Sequence, residues 1–289
     1  MKRIFTLCIA ICTIMTCFAQ ADTTGKQNPS PENDTIHIGG MTIIRKAGSK
    51  DTPGTHDRDV QVTNSGVVKH SRVSTNWAIL DLGFSNYSDK TIYGSPAAQA
   101  YAPGSNKTWF GLKYGKSRNV NIWFFMQKLN VSKRVLNLKY GLGLELNNYY
   151  YKQPVRYNDH PLAILNPPIV ILDTATVGRT YSKDKLAADY LTVPVMLNVN
   201  FTPNRKNGFG FSAGISMGYL YSARNKTVTS DEDKRKAKDD FELEKWKLSY
   251  IAEISLGSIR FYGSYAFKTM YERGLDMRPY NFGIRFSNW

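Results

Sequence analysis

The chain has 289 residues, 38 basic against 23 acidic side chains, and a net charge of +15. Aromatic residues are abundant, with 18 Tyr among them, yet beyond residue 21 there is no apolar run of about 18 residues, which excludes crossing a membrane by helices. All three cysteines, Cys8, Cys12 and Cys17, lie near the start, which excludes disulfide staples and thiolate zinc sites in the rest of the chain.

Met1, Lys2 and Arg3 precede an apolar run from Ile4 to Phe18 that ends in Ala19, Gln20 and Ala21. This charged start, short apolar segment and small-x-small ending predict a secretory signal peptide over residues 1–21. Ile14, Met15 and Thr16 before Cys17 make a poor lipoprotein box. Without Lys2 and Arg3, 36 basic residues remain against 23 acidic ones, about +13 by the same formal count. For a secreted chain, the first polyanion to be met is lipopolysaccharide, and no nucleic-acid partner is expected.

Residues 22–74 are polar, basic and rich in turn formers, as in NPSPEND and KAGSKDTPGTHDRD, and read as a periplasmic segment. Within it, TIHIGGMTIIRK from Thr35 to Lys46 predicts a short hairpin around Gly39 and Gly40.

From residue 75 to 289 the pattern changes to long alternating segments. Strand one, Trp77 to Tyr87, turns Ala78, Leu80, Leu82 and Phe84 outward. Strand two, Arg118 to Val131, turns out Val120, Ile122, Phe124 and Met126. Strand three is the most regular, VLNLKYGLGLELNNYYY from Val135 to Tyr151. Leu136, Leu138, Tyr140, Leu142, Leu144 and Leu146 share one face; Asn137, Lys139, Gly141, Gly143, Glu145 and Asn147 share the other. One face suits lipid, and Tyr149, Tyr150 and Tyr151 are expected in the interfacial aromatic girdle.

Strand four, Tyr181 to Phe201, exposes Leu191, Val193, Val195, Leu197 and Val199, with Pro194 pointing inward and predicting a bulge or kink where a ladder bond is missing. Strand five, Phe209 to Ala223, pairs an apolar outward set with inward Gly210, Ser212, Gly214, Ser216 and Gly218. Strands six, Lys245 to Leu256, seven, Ile259 to Thr269, and eight, Tyr280 to Ser287, complete the set. Connections after strands two, four and six are short, whereas those after one, three and five are long, as expected of periplasmic turns and external loops. The fold class is therefore all-β: a transmembrane antiparallel up-and-down β-barrel of eight strands, or ten if Trp109 to Tyr114 or Ile169 to Thr176 adds a pair.

By parity, Asp81, Lys139, Glu145, Glu253, Arg260 and Arg285 face inward. Charges enclosed in a narrow barrel must pair, because an unpaired buried charge is costly. The expectation is a salt-bridge network plugging the lumen, helped by Trp123 and Phe125; a narrow pore is the alternative. His37, His56 and His70 precede the barrel and His160 lies in a loop, so no nucleophile–base pair is expected and no enzyme activity. GLGLEL and GFGFSAG lie within strands and open no helix, which makes them barrel glycines. No catalytic, cofactor-binding or metal residue is assigned, and no cofactor. TSDEDKRKAKDDFELEK, Thr229 to Lys245, lacks calcium-loop spacing. It reads as a solvated external tip whose Lys234, Arg235, Lys236 and Lys238 suit lipopolysaccharide or a surface partner.

NWAILDLGFSNY, NVNIWFFMQKLNV, LKYGLGLELNNYYY and DYLTVPVMLNVNF resemble the outer membrane beta-barrel family of Bacteroidetes, described as PorT-like. The resemblance covers Trp77 to Trp289 and is most specific over the first four strands. It implies an outer-membrane location in a Gram-negative envelope and a small porin-like barrel. It also implies contact with the barrel assembly machinery and, in a few relatives, a role with envelope protein partners in export. Such barrels end on an aromatic residue in phase with the lipid face; Trp289 is aromatic but out of phase with Phe282, Ile284 and Phe286.

Overall fold

The computed structural model describes residues 33–38, 41–46, 62–63, 72–158, 168–173, 179–203, 208–231 and 234–287. The expected signal peptide, His56, His70, His160 and Trp289 lie outside them. The chain divides into two units, Met1–His70 and Ser71–Trp289. In the first, β1 (Asn33–Ile38) and β2 (Met41–Lys46) pair antiparallel, ending at Ile38 opposite Met41, and β3 (Val62–Thr63) adds to β2.

The second unit contains the barrel. Its strands are β4 (Val73–Asp89), β5 (Arg118–Ser132), β6 (Leu136–Tyr150), β9 (Tyr181–Asn200), β10 (Phe209–Thr229), β12 (Trp246–Leu256), β13 (Ile259–Ala266) and β14 (Met277–Phe286). Each pairs antiparallel with the next, and β14 pairs with β4 from Met277–Asp89 to Phe286–Leu80, closing an eight-strand ring. Closure removes the sheet edges that lipid could not satisfy. The remaining strands, β7 (Val155–Tyr157), β8 (Val170–Leu172) and β11 (Arg235–Lys238), lie in the long connections, as does the helix α1 (Pro96–Tyr101), capped by Ser95. Among the described residues, β7 and β8 pair only with each other, so residues 169–173 of the Ile169 to Thr176 segment add no pair to the ring.

Alternation explains the barrel wall. Leu191, Val193, Val195 and Leu197 of β9 are exposed, while Thr192, Pro194 and Met196 between them are buried. The same rhythm exposes Phe209, Phe211, Ile215, Met217, Tyr219 and Tyr221 on β10. Such a continuous apolar exterior is unstable in water and stable in lipid. Aromatic pairs mark its margins: Phe201 with Phe209 near the short turns, and Tyr219 with Trp246 toward the long connections, both 5.0 Å between centroids. At about 3.3 Å per residue and a tilt of roughly 40°, Phe209 to Tyr219 spans roughly 25 Å, the height of an outer-membrane apolar band.

The short turns lie together at one end. Ser132 to Val135 closes through Val135 N donating to Ser132 O at 2.9 Å, with Lys133 and Arg134 both in the left-handed region, the geometry of a type I′ turn. Gly257, at φ +63°, opens the other tight turn without a Cβ penalty. Pro194 faces inward as expected; β6–β9 pairing passes from Tyr140–Val195 to Gly143–Thr192 without a change of register, so the prolyl site interrupts the ladder but is not a bulge.

Irregularities on β4 and β5 change faces, as does one on β10 between Leu220 and Ser222, beyond which Ala223, Asn225 and Thr227 turn in. Ala78, at φ 54°, lets both Trp77 and Ala78 lie outside before Ile79 turns in. Opposite, the β5–β6 register shifts between Trp123 and Phe125. Met126, expected to face lipid, is therefore fully buried inside, while Phe125, expected in the lumen, turns out and packs against Trp77 at 5.9 Å. A one-residue bulge reverses every later side chain.

Candidate functional site: a closed lumen beneath a folded cap

The inward positions of the wall are polar. Asp81, Lys139, Glu145, Glu253, Arg260 and Arg285 all point inward and are buried, as parity predicts, and Lys247, absent from that set, joins them. Arg285 is the hub. Its Nε and Nη2 donate to Asp81 Oδ1 and Oδ2 at 2.7 and 2.8 Å, and its Nη1 donates to Glu253 Oε2. Glu253 also receives Lys139 Nζ at 2.6 Å, and Asp81 receives Trp123 Nε1 at 2.7 Å and Asn121 Nδ2 at 3.1 Å. Higher in the barrel Glu145 accepts from Lys247, from Asn281 at 2.9 Å and from Asn147 at 3.2 Å.

Amides fill the layers above and below. Asn137 donates to Asn198 at 3.1 Å and Asn198 to Ser212 at 3.0 Å near the short turns; Tyr262 donates to Asn119 at 2.6 Å farther up. A planar guanidinium bidentate to one carboxylate and shared with a second is a strong arrangement, and a buried one resists being broken. Packing depends on missing side chains: a Cβ at Gly143 would stand 2.6 Å from the Trp123 ring. The space left beside Asn121, Trp123, Glu145, Thr192, Tyr262 and Arg285 is about 30 Å³, room for about one water and far short of a channel.

Above this polar plug the long connections fold into an apolar cap. Tyr101, Phe110, Leu112, Tyr151, Val155, Tyr157, Val170, Phe241, Leu243, Met270 and Tyr271 are buried in one cluster with Tyr149, Leu186, Tyr190 and Leu220 from the barrel wall. Tyr149 and Tyr151 are thus 1% and 0% exposed and core, not girdle; only Tyr150 faces out. The Tyr151, Tyr157 and Tyr271 hydroxyls form a chain at 2.7 and 2.8 Å, and Tyr101 donates to Phe241 O at 2.7 Å. Burial pushes the Tyr151 and Tyr157 hydroxyls well above the ordinary phenol range and Tyr271 to about 12, so they remain protonated donors.

Asp184 fastens the cap to β9. Its carboxyl accepts Val155 N at 2.7 Å and Asn225 Nδ2 at 3.3 Å, and burial pushes its pKa up to about 8. The segment expected to be a solvated tip is also folded: β11 pairs with β10, and Ala237, Phe241 and Leu243 enter the cap. Sequence reasoning missed these because each is an isolated apolar residue among charges. At the opposite end, where β4 runs beyond its last pair with β14, an open groove of about 580 Å³ is lined by Trp77, Ala78, Leu80, Ile284 and Phe286. Among the described residues no group of three or more His, Cys, Asp or Glu could hold a metal ion.

None of the curated proteins matches the chain. Residues 72–276 match the family described as outer membrane protein beta-barrel domain. The match ends just before β14, the strand that closes the ring against β4. The closed eight-strand ring, its apolar outer band and this match lead to one conclusion: the chain belongs to the outer membrane protein beta-barrel domain family and is an integral outer-membrane β-barrel protein.

Proposed function

We propose that the barrel serves as a closed structural and interaction module, not as an open pore or an enzyme. The observation that carries this reading is the Arg285–Asp81–Glu253–Lys139 network filling the mid-lumen, with an aromatic cap above it. Opening a path for solutes would separate buried opposite charges, each separation costing about 3–5 kcal/mol. With a cleaved signal peptide and an even strand number, the short turns and both barrel termini face the periplasm, and the cap faces outward.

Contacts with the envelope then involve two regions: the outward connections, and the residue 22–74 segment on the periplasmic side. Export accessory work, implied by the PorT-like resemblance, is the alternative, and that basic segment is its natural docking element. Purified full-length protein in planar bilayers tests the main reading. The expected result is no conductance step comparable to that of a roughly 16-stranded porin. Steps of that size overturn it, while specific co-purification of envelope proteins through residues 22–74 favours the accessory role.

A further inference from the structure

The barrel is not equally tall on all sides. β9 and β10 have 20 and 21 residues, whereas β12, β13 and β14 have 11, 8 and 10. About 9–11 residues suffice to cross the membrane, so the upper halves of β9 and β10, with β11, stand above the girdle. The register places Tyr150, Lys185, Lys226 and Lys236 side by side on four adjacent strands. Arg224 and Lys238 are opposite one another in the next row. Their neighbours Asp184, Leu186, Asn225, Thr227 and Ala237 are buried, so alternation turns the cations outward. Lys183 and Lys185 lie over the Tyr150 ring at 5.9 and 5.4 Å.

Like charges directly opposite across strands are destabilising. Here three lysines stand in one row. Asp189 is paired with Arg224 at 2.6 Å and Asp231 with Arg179 at 2.5 Å. Among the described residues, no carboxylate pairs with Lys183, Lys226, Lys236 or Lys238. The opposite flank pairs its charges: Lys268 with Glu244 at 2.7 Å, Arg273 with Glu242 at 2.6 Å and Arg278 with Asp276 at 3.1 Å. Mutual repulsion acts on them: Lys234 and Lys183 hold the Lys226 ammonium below the ordinary lysine range, and burial, followed by Lys183, Arg224 and Lys226, pulls Lys185 down to about 8.

We infer that this flank binds the phosphate groups of an outer-leaflet glycolipid, with Lys183, Lys185, Lys226 and Lys236 as the cationic donors. The inference rests on the outward placement of the cap proposed above. Position favours a lipid over a soluble polyphosphate: Arg224 and Lys226 follow closely on the exposed Tyr219 and Tyr221 of the girdle, the level of headgroup phosphates. The exposed Leu191 and Val193 lie below them on β9, where acyl chains would pack. Lysines bind phosphate as compact point charges, and a bridging dianion would remove their repulsion.

The test uses full-length protein in nanodiscs, with bis-phosphorylated lipid A and the same lipid lacking phosphates as probes. Lipid A retention is expected to fall by about tenfold or more in K183Q/K185Q/K226Q/K236Q, and likewise for the dephosphorylated lipid. The four-Arg variant should bind as the parent does, and K268Q/R273Q/R278Q should change binding by less than about twofold. Undiminished binding in the four-Gln variant, or equal binding of the dephosphorylated lipid, overturns the inference. So does displacement of lipid A by inorganic pyrophosphate at equal phosphate concentration, which assigns the face to free phosphate. Labelling of Lys116→Cys by a membrane-impermeant maleimide in intact cells reports cap orientation separately, so failure of the orientation and failure of the lysine face are distinguishable.

Discussion

The mid-lumen and the upper mouth of this barrel are both filled, but by opposite chemistry. In the mid-lumen, charge is buried and satisfied: Arg285 reaches Asp81 and Glu253, and Lys139 completes the second carboxylate. At the mouth, rings are buried and their few polar atoms satisfy one another, as Tyr151, Tyr157 and Tyr271 do. The first arrangement is directional and fails when one member is lost. The second gains mainly from area removed from water and fails by degrees.

The largest expected effect breaks the lumen side of this comparison. Arg285→Met leaves Asp81 and Glu253 buried without their main counter-charge and should cost about 3–5 kcal/mol of unfolding free energy, measured by urea unfolding in lipid vesicles. Adding Asp81→Leu should recover most of that loss, because Lys139 still neutralises Glu253 and no uncompensated buried carboxylate is left. Failure to recover would mean that shape, not charge, governs this layer.

A smaller and more local loss is expected in the cap. Tyr157→Ala removes a fully buried ring that packs on Phe241 at 5.1 Å and should cost about 3 kcal/mol. Limited proteolysis should then cut the 90–117 and 230–245 connections while the eight-strand wall stays folded. Simultaneous loss of the wall would show that lumen and cap form one cooperative unit.

The most local effect is a pH dependence confined to the cap. Asp184 has a folded pKa raised to about 8 by burial, above its ordinary 3.8. The folded cap therefore holds that proton more tightly than the unfolded chain does, and its contribution is complete at low pH. Stability should fall as pH rises from about 4 toward about 8, as the unfolded carboxyl ionises and the folded one does not. Resistance of the cap connections to proteolysis, corrected for protease activity, should follow this slope; Asp184→Asn should flatten it.

The lumen was legible in advance because strand parity needs no tertiary knowledge. In β6 every second residue from Asn137 to Asn147 faces in, and the structure keeps all of them there. Parity fails where the backbone adds a residue: the bulge at Trp123 and Phe125 puts Met126 inside and Phe125 outside. Neither residue is Gly or Pro, so no local signal marks the site. Lys247 obeys the same parity: it lies between Trp246 and Leu248 of β12 and is buried in the lumen.

What the amino-acid sequence determines by itself is the wall: period-two alternation at membrane length, short turns at one end and long connections at the other, and the inward charges that must pair. Each is a local or periodic property enforced by pleat geometry and by lipid as a solvent. The tertiary structure alone decides which charge meets which, as when Arg285 of the last strand meets Asp81 of the first at the seam that closes the ring. It also decides that Tyr149 and Tyr151 leave the girdle for a core assembled from four separate connections, and that lysines from three strands converge on one flank. These depend on ring closure and on contacts distant in sequence, which no single segment encodes.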